Sequence, residues 1–151
     1  MALVKPISDL TADDLAMFEL WEFATDREDE GDETWVRPVD SDVVPVDADN
    51  VVYHVACDVE LASGRVLAGH VGVCNGALDV EPPTVVSDAG EAFDLEHPPH
   101  RRQQAAFEAL FGAPFAAVFP VRWRLRLPLA GEAAYREGEL ALPPDLASRV
   151  H

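Results

Sequence analysis

Two histidines and one aspartate are the side chains whose types and spacing best suit chemistry in this chain. His54, Asp58 and His70 occur in neighbouring segments that alternate apolar and polar residues. Two imidazoles and one carboxylate can hold a transition metal and leave a coordination position open. The same residues also fit two other interpretations, as half-exposed side chains on the polar face of a sheet or as a general acid and base.

The segments that carry these residues predict a β-hairpin. Residues 51–61 and 65–74 alternate with a period of two, which is typical of strands with one buried face. The loop 62–64 fits a three-residue turn with its glycine in the left-handed conformation. If Leu61 pairs with Arg65, paired residue numbers sum to 126. Even-numbered residues then share one face, and the odd-numbered face is apolar and buried.

This register also decides what the two cysteines can do. It puts Cys57 and Cys74 on opposite faces, which excludes a disulfide between them without a slip of the strands. A two-residue loop would instead give a sum of 127 and place Cys57 opposite His70. That alternative would create the thiolate–imidazole pair that a cysteine nucleophile needs. We expect the first register.

An acidic segment at 26–33 contains six acids in eight residues and predicts an exposed loop. It fits a solvated loop, a docking loop for a basic partner, or a calcium loop that begins at Asp26. The calcium spacing fails at Arg37, where an EF-hand needs a bidentate glutamate. The docking interpretation assigns the contact to five acids and the adjacent tryptophan, namely Glu28, Asp29, Glu30, Asp32, Glu33 and Trp35.

The net charge indicates which classes of partner the chain can bind. With 28 acidic and 11 basic side chains, the formal net charge is -17, beyond the magnitude of about 2 to 8 expected for a small domain. Such a field repels nucleic acids and anionic membranes and attracts basic proteins. We therefore expect no nucleic-acid partner and no membrane partner.

Length and cysteine content point to a single globular domain that spans 1–151. A chain of 151 residues with two cysteines is too short for two comfortable domains and lacks a disulfide framework. The start of the chain has no apolar region of a signal peptide, and no segment has the length of a membrane span. We expect a cytoplasmic protein.

Two helices are predicted beside the hairpin. Thr11 and Asp14 fit a helix start with a capping box, and apolar spacing continues the first helix over 12–24. The second helix runs from Arg101 to Phe111 and ends at Gly112.

A further strand carries a row of arginines near the end of the chain. Arg122, Arg124 and Arg126 alternate with apolar residues, so they share one face of the strand. Cross-strand pairing with Glu137 and Glu139 explains the row better than a base-stacking role does. Together these elements predict an α+β fold, with a single antiparallel sheet of about four to six strands and two helices packed on one face.

Three segments resemble a family of short uncharacterised bacterial proteins. They are W-E-F-A at 21–24, D-E-T-W-V-R-P at 32–38 and F-P-V-R-W at 119–123. The resemblance spans most of the chain and implies no catalytic residues. In size, acidity and single-domain build, the chain is also similar to the immunity proteins of bacterial toxin systems, which neutralise basic toxins.

The sequence therefore favours binding over catalysis. It has no nucleophile elbow, P-loop, dinucleotide fingerprint or zinc motif, so we expect no catalytic residues and no cofactor. The predicted function is a non-catalytic, immunity-like acidic domain that docks a basic protein. A homo-oligomer, in which the arginine row of one copy meets the acidic segment of another, is a second possible partner. The alternative function is a metal-binding module or metal-dependent enzyme that uses His54, Asp58 and His70.

Overall fold

The described residues form an antiparallel β-sheet with one short α-helix. A computed structural model describes residues 5–6, 9–11, 13–14, 17–25, 34–45, 51–74, 79–80 and 83–142. Helix α1 spans Gln104–Phe111 and follows a 3-10 turn at Arg101–Gln103. The strands are β1 (Lys5–Pro6), β2 (Leu20–Thr25), β3 (Thr34–Pro38), β4 (Val51–Glu60), β5 (Val66–Cys74), β6 (Asp79–Val80), β7 (Thr84–Val86), β8 (Ala92–Asp94), β9 (Val121–Leu125) and β10 (Glu137–Leu140).

Strand β4 lies in the middle of the sheet and is paired along both of its edges. The path of neighbouring strands runs β1-β3-β2-β4-β5-β7-β8, with β6 beside β5 and β10 beside β9. One edge of β4 pairs with β5. Residues 51–55 on the other edge pair with β2, and residues 57–60 pair with β9. The sheet therefore divides along this edge of β4.

Ala56 is the residue at which this edge changes partner. Its N–H donates to the carbonyl of Glu19 at 3.0 Å, and its carbonyl accepts from the N–H of Arg126 at 2.9 Å. Both backbone groups are thus satisfied between the two neighbouring strands, as a buried backbone requires. Ala56 is only 3% exposed, and its small side chain leaves room for the two neighbouring strands to approach each other.

The predicted hairpin register is confirmed. Ala56 pairs with His70 and Cys57 pairs with Gly69, so paired residue numbers sum to 126 throughout β4 and β5. Leu61 donates its N–H to the carbonyl of Arg65, and the turn contains a glycine with a φ of 92°. The alternative register is wrong.

The two faces of the hairpin meet different apolar clusters. Odd-numbered residues enter the main core, where Phe107 and Phe111 of α1 pack beside Phe93. Even-numbered residues near the start of β4 are covered by a second cluster. We call it the back-face cluster, and its buried members are Phe18, Trp21, Phe23 and Val36.

The predicted α+β class with two helices on one face is wrong, because the described structure is mostly β. Within the described residues the sheet holds ten strands rather than four to six, and α1 is the one helix whose bounds are described. The added strands, and the strand at Leu20–Thr25 in place of the end of the predicted helix, arise from pairings between residues far apart in the chain, which local patterns do not reveal.

The helix predicted over 12–24 fails although its start signal is present. Thr11 N–H donates to Asp14 Oδ2 at 2.9 Å, and Asp14 N–H donates to Thr11 Oγ1 at 3.2 Å. A strand nevertheless begins at Leu20, since β2 pairs with β3 on one edge and β4 on the other. Leu20 enters the main core while Trp21 enters the back-face cluster. Pairing on both edges overrides the local helical spacing.

Two other predictions are confirmed. The helical segment predicted over 101–111 is present, and Gly112 ends α1 with a φ of 76°. In the β9–β10 pair, Glu139 lies opposite Arg122 and Glu137 lies opposite Arg124.

Gly69 is predicted to be required where β7 approaches β5. A Cβ atom at this position would lie 2.8 Å from the carbonyl oxygen of Thr84 and 3.0 Å from Val59 Cγ2. Gly69→Ala should therefore lower the free energy of unfolding by about 1 to 3 kcal/mol, as overpacking does. Urea denaturation measures the change. The control Ala68→Ser, at the exposed neighbouring position, should change it by less than about 0.5 kcal/mol, and equal effects would contradict the prediction.

Candidate functional site

A buried pair of histidines lies on the even-numbered face of the hairpin. β4 carries His54 and β5 carries His70, and the confirmed register makes them diagonal neighbours. Their Nδ1 atoms are 2.8 Å apart, and only 8% of His70 is exposed. At this distance one imidazole donates an N–H and the other accepts it. The pair is therefore a hydrogen bond between two neutral rings.

Aromatic residues of the back-face cluster enclose this pair. Phe23 stacks on His54 with ring centroids 3.9 Å apart, and Phe18 meets His70 edge to face at 5.5 Å. Burial, with a smaller effect of the nearby His70, lowers the pKa of His54 to about 3. Burial also lowers the pKa of His70 to about 4. Both imidazoles are consequently neutral at pH 7.

The structure brings His54 and His70 together but engages Asp58 elsewhere. Asp58 is exposed, and its Oδ1 accepts from Arg126 Nη2 at 2.8 Å and from Nε at 3.1 Å. Nitrogen ligands on a tetrahedral zinc ion would be about 3.4 Å apart, given Zn–N distances near 2.0 to 2.1 Å. The shorter separation of the imidazoles fits an N–H···N bond. Among the residues with coordinates, no third acid, histidine or cysteine completes a ligand set around this pair.

Cys57 is not poised for nucleophilic chemistry. Its side chain is fully buried, and burial raises the pKa of the thiol to about 12. Gly69 lies opposite it in the sheet. At neutral pH the thiol stays protonated in the main core, where it acts as a small apolar side chain.

The predicted docking acids lie in a part of the chain outside the described residues. Glu28, Asp29, Glu30, Asp32 and Glu33 belong to the segment that joins β2 to β3. Its flanking residues Thr25 and Thr34 pair with each other, so the two strands meet at this end of the sheet. Trp35 is half-buried in β3.

The arginine row is used within the fold. Arg122 Nε is 3.4 Å from Glu139 Oε2, and Arg126 pairs with Asp58. The guanidinium of Arg124 lies over the Tyr135 ring, 5.4 Å from its centroid. These contacts leave the row less free to meet the acidic segment of a second copy.

Sequence reasoning missed a second group of possible ligands. Asp94, Glu96 and His97 are exposed, and one ligand atom of each lies within 4.8 Å of the others. Asp94 accepts hydrogen bonds from the Glu96 N–H and from the His97 ring. The hydrogen bond between His97 and Asp94 raises the pKa of His97. Prolines at 98 and 99 indicate a loop at this position, but no spacing in the sequence points to the two acids. These hydrogen bonds account for the cluster as a turn.

Comparisons with known proteins identify no relative of this chain. No protein family, no curated protein and no solved structure matches this chain. Within the residues that the structure describes, no helix has the length and apolar character needed to cross a membrane.

The histidine pair should make the fold acid-sensitive. Both pKa values in the folded protein lie below the ordinary value of 6.5, so the unfolded chain binds more protons below pH 6.5. The pair's contribution is complete above pH 6.5 and is lost as the pH falls toward about 4. Its slope should reach at most about 1.4 kcal/mol per pH unit for each imidazole.

Urea denaturation between pH 5 and pH 7.5 tests this prediction. In the variant His54→Leu/His70→Leu, the free energy of unfolding should decline less toward pH 5 than in the unmodified protein. The control His100→Gln removes one exposed histidine and should keep the decline. Identical pH dependence in the unmodified protein and the leucine variant would refute the assignment.

Proposed function

We propose that this protein is a non-catalytic acidic binding domain that docks a basic protein partner in the cytoplasm, in the manner of an immunity protein. The observation that carries the proposal is a charge surplus that the fold leaves uncompensated. Against a net charge of -17, the described ion pairs already occupy most of the basic side chains near the sheet. Those basic side chains are Lys5, Arg37, Arg122, Arg126 and Arg136.

Other acids stay exposed outside these ion pairs. Asp40, Asp42, Glu60 and Glu96 are examples in the part of the chain with coordinates. Their carboxylates add to the excess of negative charge at the protein surface. A basic protein that approaches this surface would be steered toward it, and salt would weaken the attraction.

The geometry of the ionisable groups favours binding over turnover. His54 and His70 hydrogen-bond to each other and are neutral at pH 7, while the Cys57 thiol is protonated. A catalytic base or nucleophile needs a pKa closer to the working pH and a free path to a substrate. The alternative metal function has less support, since Asp58 is held by Arg126.

The proposed contact residues belong to the segment between β2 and β3, together with Trp35 of β3. We assign the docking surface to Glu28, Asp29, Glu30, Asp32 and Glu33, with Trp35 of β3 as the aromatic neighbour. A partner that contributes lysines and arginines would complement the acids, and the indole would add apolar contact area.

Co-purification from the source cell tests the proposal. The immobilised protein should retain a basic protein at about 50 mM salt and release most of it at about 500 mM, because screening weakens exposed charge pairs. If no basic protein is retained at low salt, the proposed function loses its support.

A matched pair of variants locates the contact. In the first, Glu28, Asp29, Glu30, Asp32 and Glu33 are changed to their amides, and we expect retention to fall at least about 10-fold. The control changes five other acids to amides and should retain the partner to within about 3-fold. Equal losses would assign the binding to net charge alone. The control acids are Asp9, Asp40, Asp42, Glu96 and Glu108, all exposed.

Sizing at both salt concentrations separates a partner protein from a second copy. A monomer at low salt supports docking of a different protein. A dimer that dissociates at high salt and disappears in the five-acid segment variant would instead identify a second copy as the partner.

A further inference from the structure

A small cavity lies where β7 leaves β5. His70 pairs with Thr84, and the pairing of these two strands goes no further along β5. Beyond this point Val85 and the turn residue Asp88 line the cavity on the β7 side, and Leu110 of α1 lines it as well. The cavity has a volume of about 220 Å³, more than the cavity of about 150 Å³ that holds a benzene molecule.

The walls of the cavity combine apolar and polar side chains. Phe18, Leu67, Val85 and Leu110 supply ring and aliphatic surface. Such walls suit a ligand with an apolar stem, because its burial removes hydrocarbon surface from water. The open wall at Ala68, an exposed residue, gives access from solvent.

His70 contributes a polar group that has no use within the fold. Its side chain is 92% buried and lines the cavity, and its Nδ1 is occupied by His54. Among the described residues, no group hydrogen-bonds to its Nε2. A ring nitrogen without a protein partner at the wall of a cavity can bind a polar group of a ligand. When Nδ1 donates to His54, Nε2 is an acceptor for a ligand N–H.

The charges around the cavity favour a cation. Arg126 lines it, but both its Nε and Nη2 donate to Asp58 outside the wall, which neutralises this guanidinium. Asp88 also lines it, is exposed and is in no ion pair with a described residue. Phe18 adds a ring face, to which a cation is attracted.

We propose that this cavity receives an arginine or lysine side chain of the basic partner. The aliphatic stem packs against Phe18, an N–H donates to His70 Nε2, and the charged head lies near Asp88. The inference rests on the proposed function and adds an anchoring site to it, distinct from the acidic segment. Interfaces commonly concentrate their affinity in such a buried anchor.

Nuclear magnetic resonance titration with n-butylguanidinium tests the cavity directly. We expect saturable shifts of the His70 ring and the Ala68 methyl group, with a dissociation constant on the order of 1 mM for so small a probe. Neutral n-pentanol should bind at least about 10-fold more weakly. Equal binding of the two probes would overturn the assignment of a cation.

Three variants test the named contacts. Asp88→Asn should weaken n-butylguanidinium binding about 5- to 10-fold, whereas the matched control Asp40→Asn should change it less than 2-fold. Ala68→Phe should block the cavity and abolish the shifts, while the protein keeps its unfolding midpoint because the position is exposed. Unchanged binding in Asp88→Asn or Ala68→Phe would overturn the site.

The source of the cation is tested with a capped Gly-Arg-Gly peptide. Binding at the same resonances supports a side chain of the partner, and binding of n-butylguanidinium alone would identify a free small cation instead, against the proposal. The proposed function and the anchoring site can also be refuted independently of each other. If Ala68→Phe retains the basic partner fully while the acidic-segment variant loses it, the proposed function stands and the anchoring site is refuted.

Discussion

The structure depends on a central strand that has no free edge. β4 pairs along its whole length with β5, while its opposite edge is divided between β2 and β9. The division at Ala56 works because each of its backbone groups bonds to a different neighbour. Ten strands can then join one sheet although most of them are short. This pairing also decides what covers each part of the hairpin.

The division of β4 explains why His54 is largely buried and Asp58 is exposed, although both lie on the even-numbered face of the same strand. β2 brings Trp21 and Phe23 beside the start of β4, so His54 and the neighbouring His70 are buried and neutral. β9 brings Arg124 opposite Asp58, and Arg126 follows to bind its carboxylate. Asp58 therefore remains exposed and charged, two residues beyond Ala56. A single switch in strand pairing separates an uncharged aromatic environment from a charged surface.

Burial sets the protonation states of His54, His70 and Cys57. Burial suppresses protonation of the histidines and ionisation of the Cys57 thiol, so the groups with reactive potential are inert near neutral pH. Negative charge predominates, with 28 acidic and 11 basic side chains. The cavity beside His70 is lined by the exposed Asp88 and by His70, whose Nε2 has no hydrogen-bond partner among the described residues. A stiff sheet can present such groups without moving them.

Local patterns determined the hairpin, its register, the helix that ends at Gly112 and the pairing of Arg122 with Glu139. Each of these depends on neighbours in sequence or on a short turn, and alternation with a known loop length is sufficient to predict it. The acidity of the surface was likewise evident from composition. Only the tertiary structure decided that Leu20 begins a strand despite a formed capping box, since the pairing partners of β2 are distant in sequence. For the same reason it alone decided that Asp58 binds Arg126, 68 residues away, rather than the histidines that share its face.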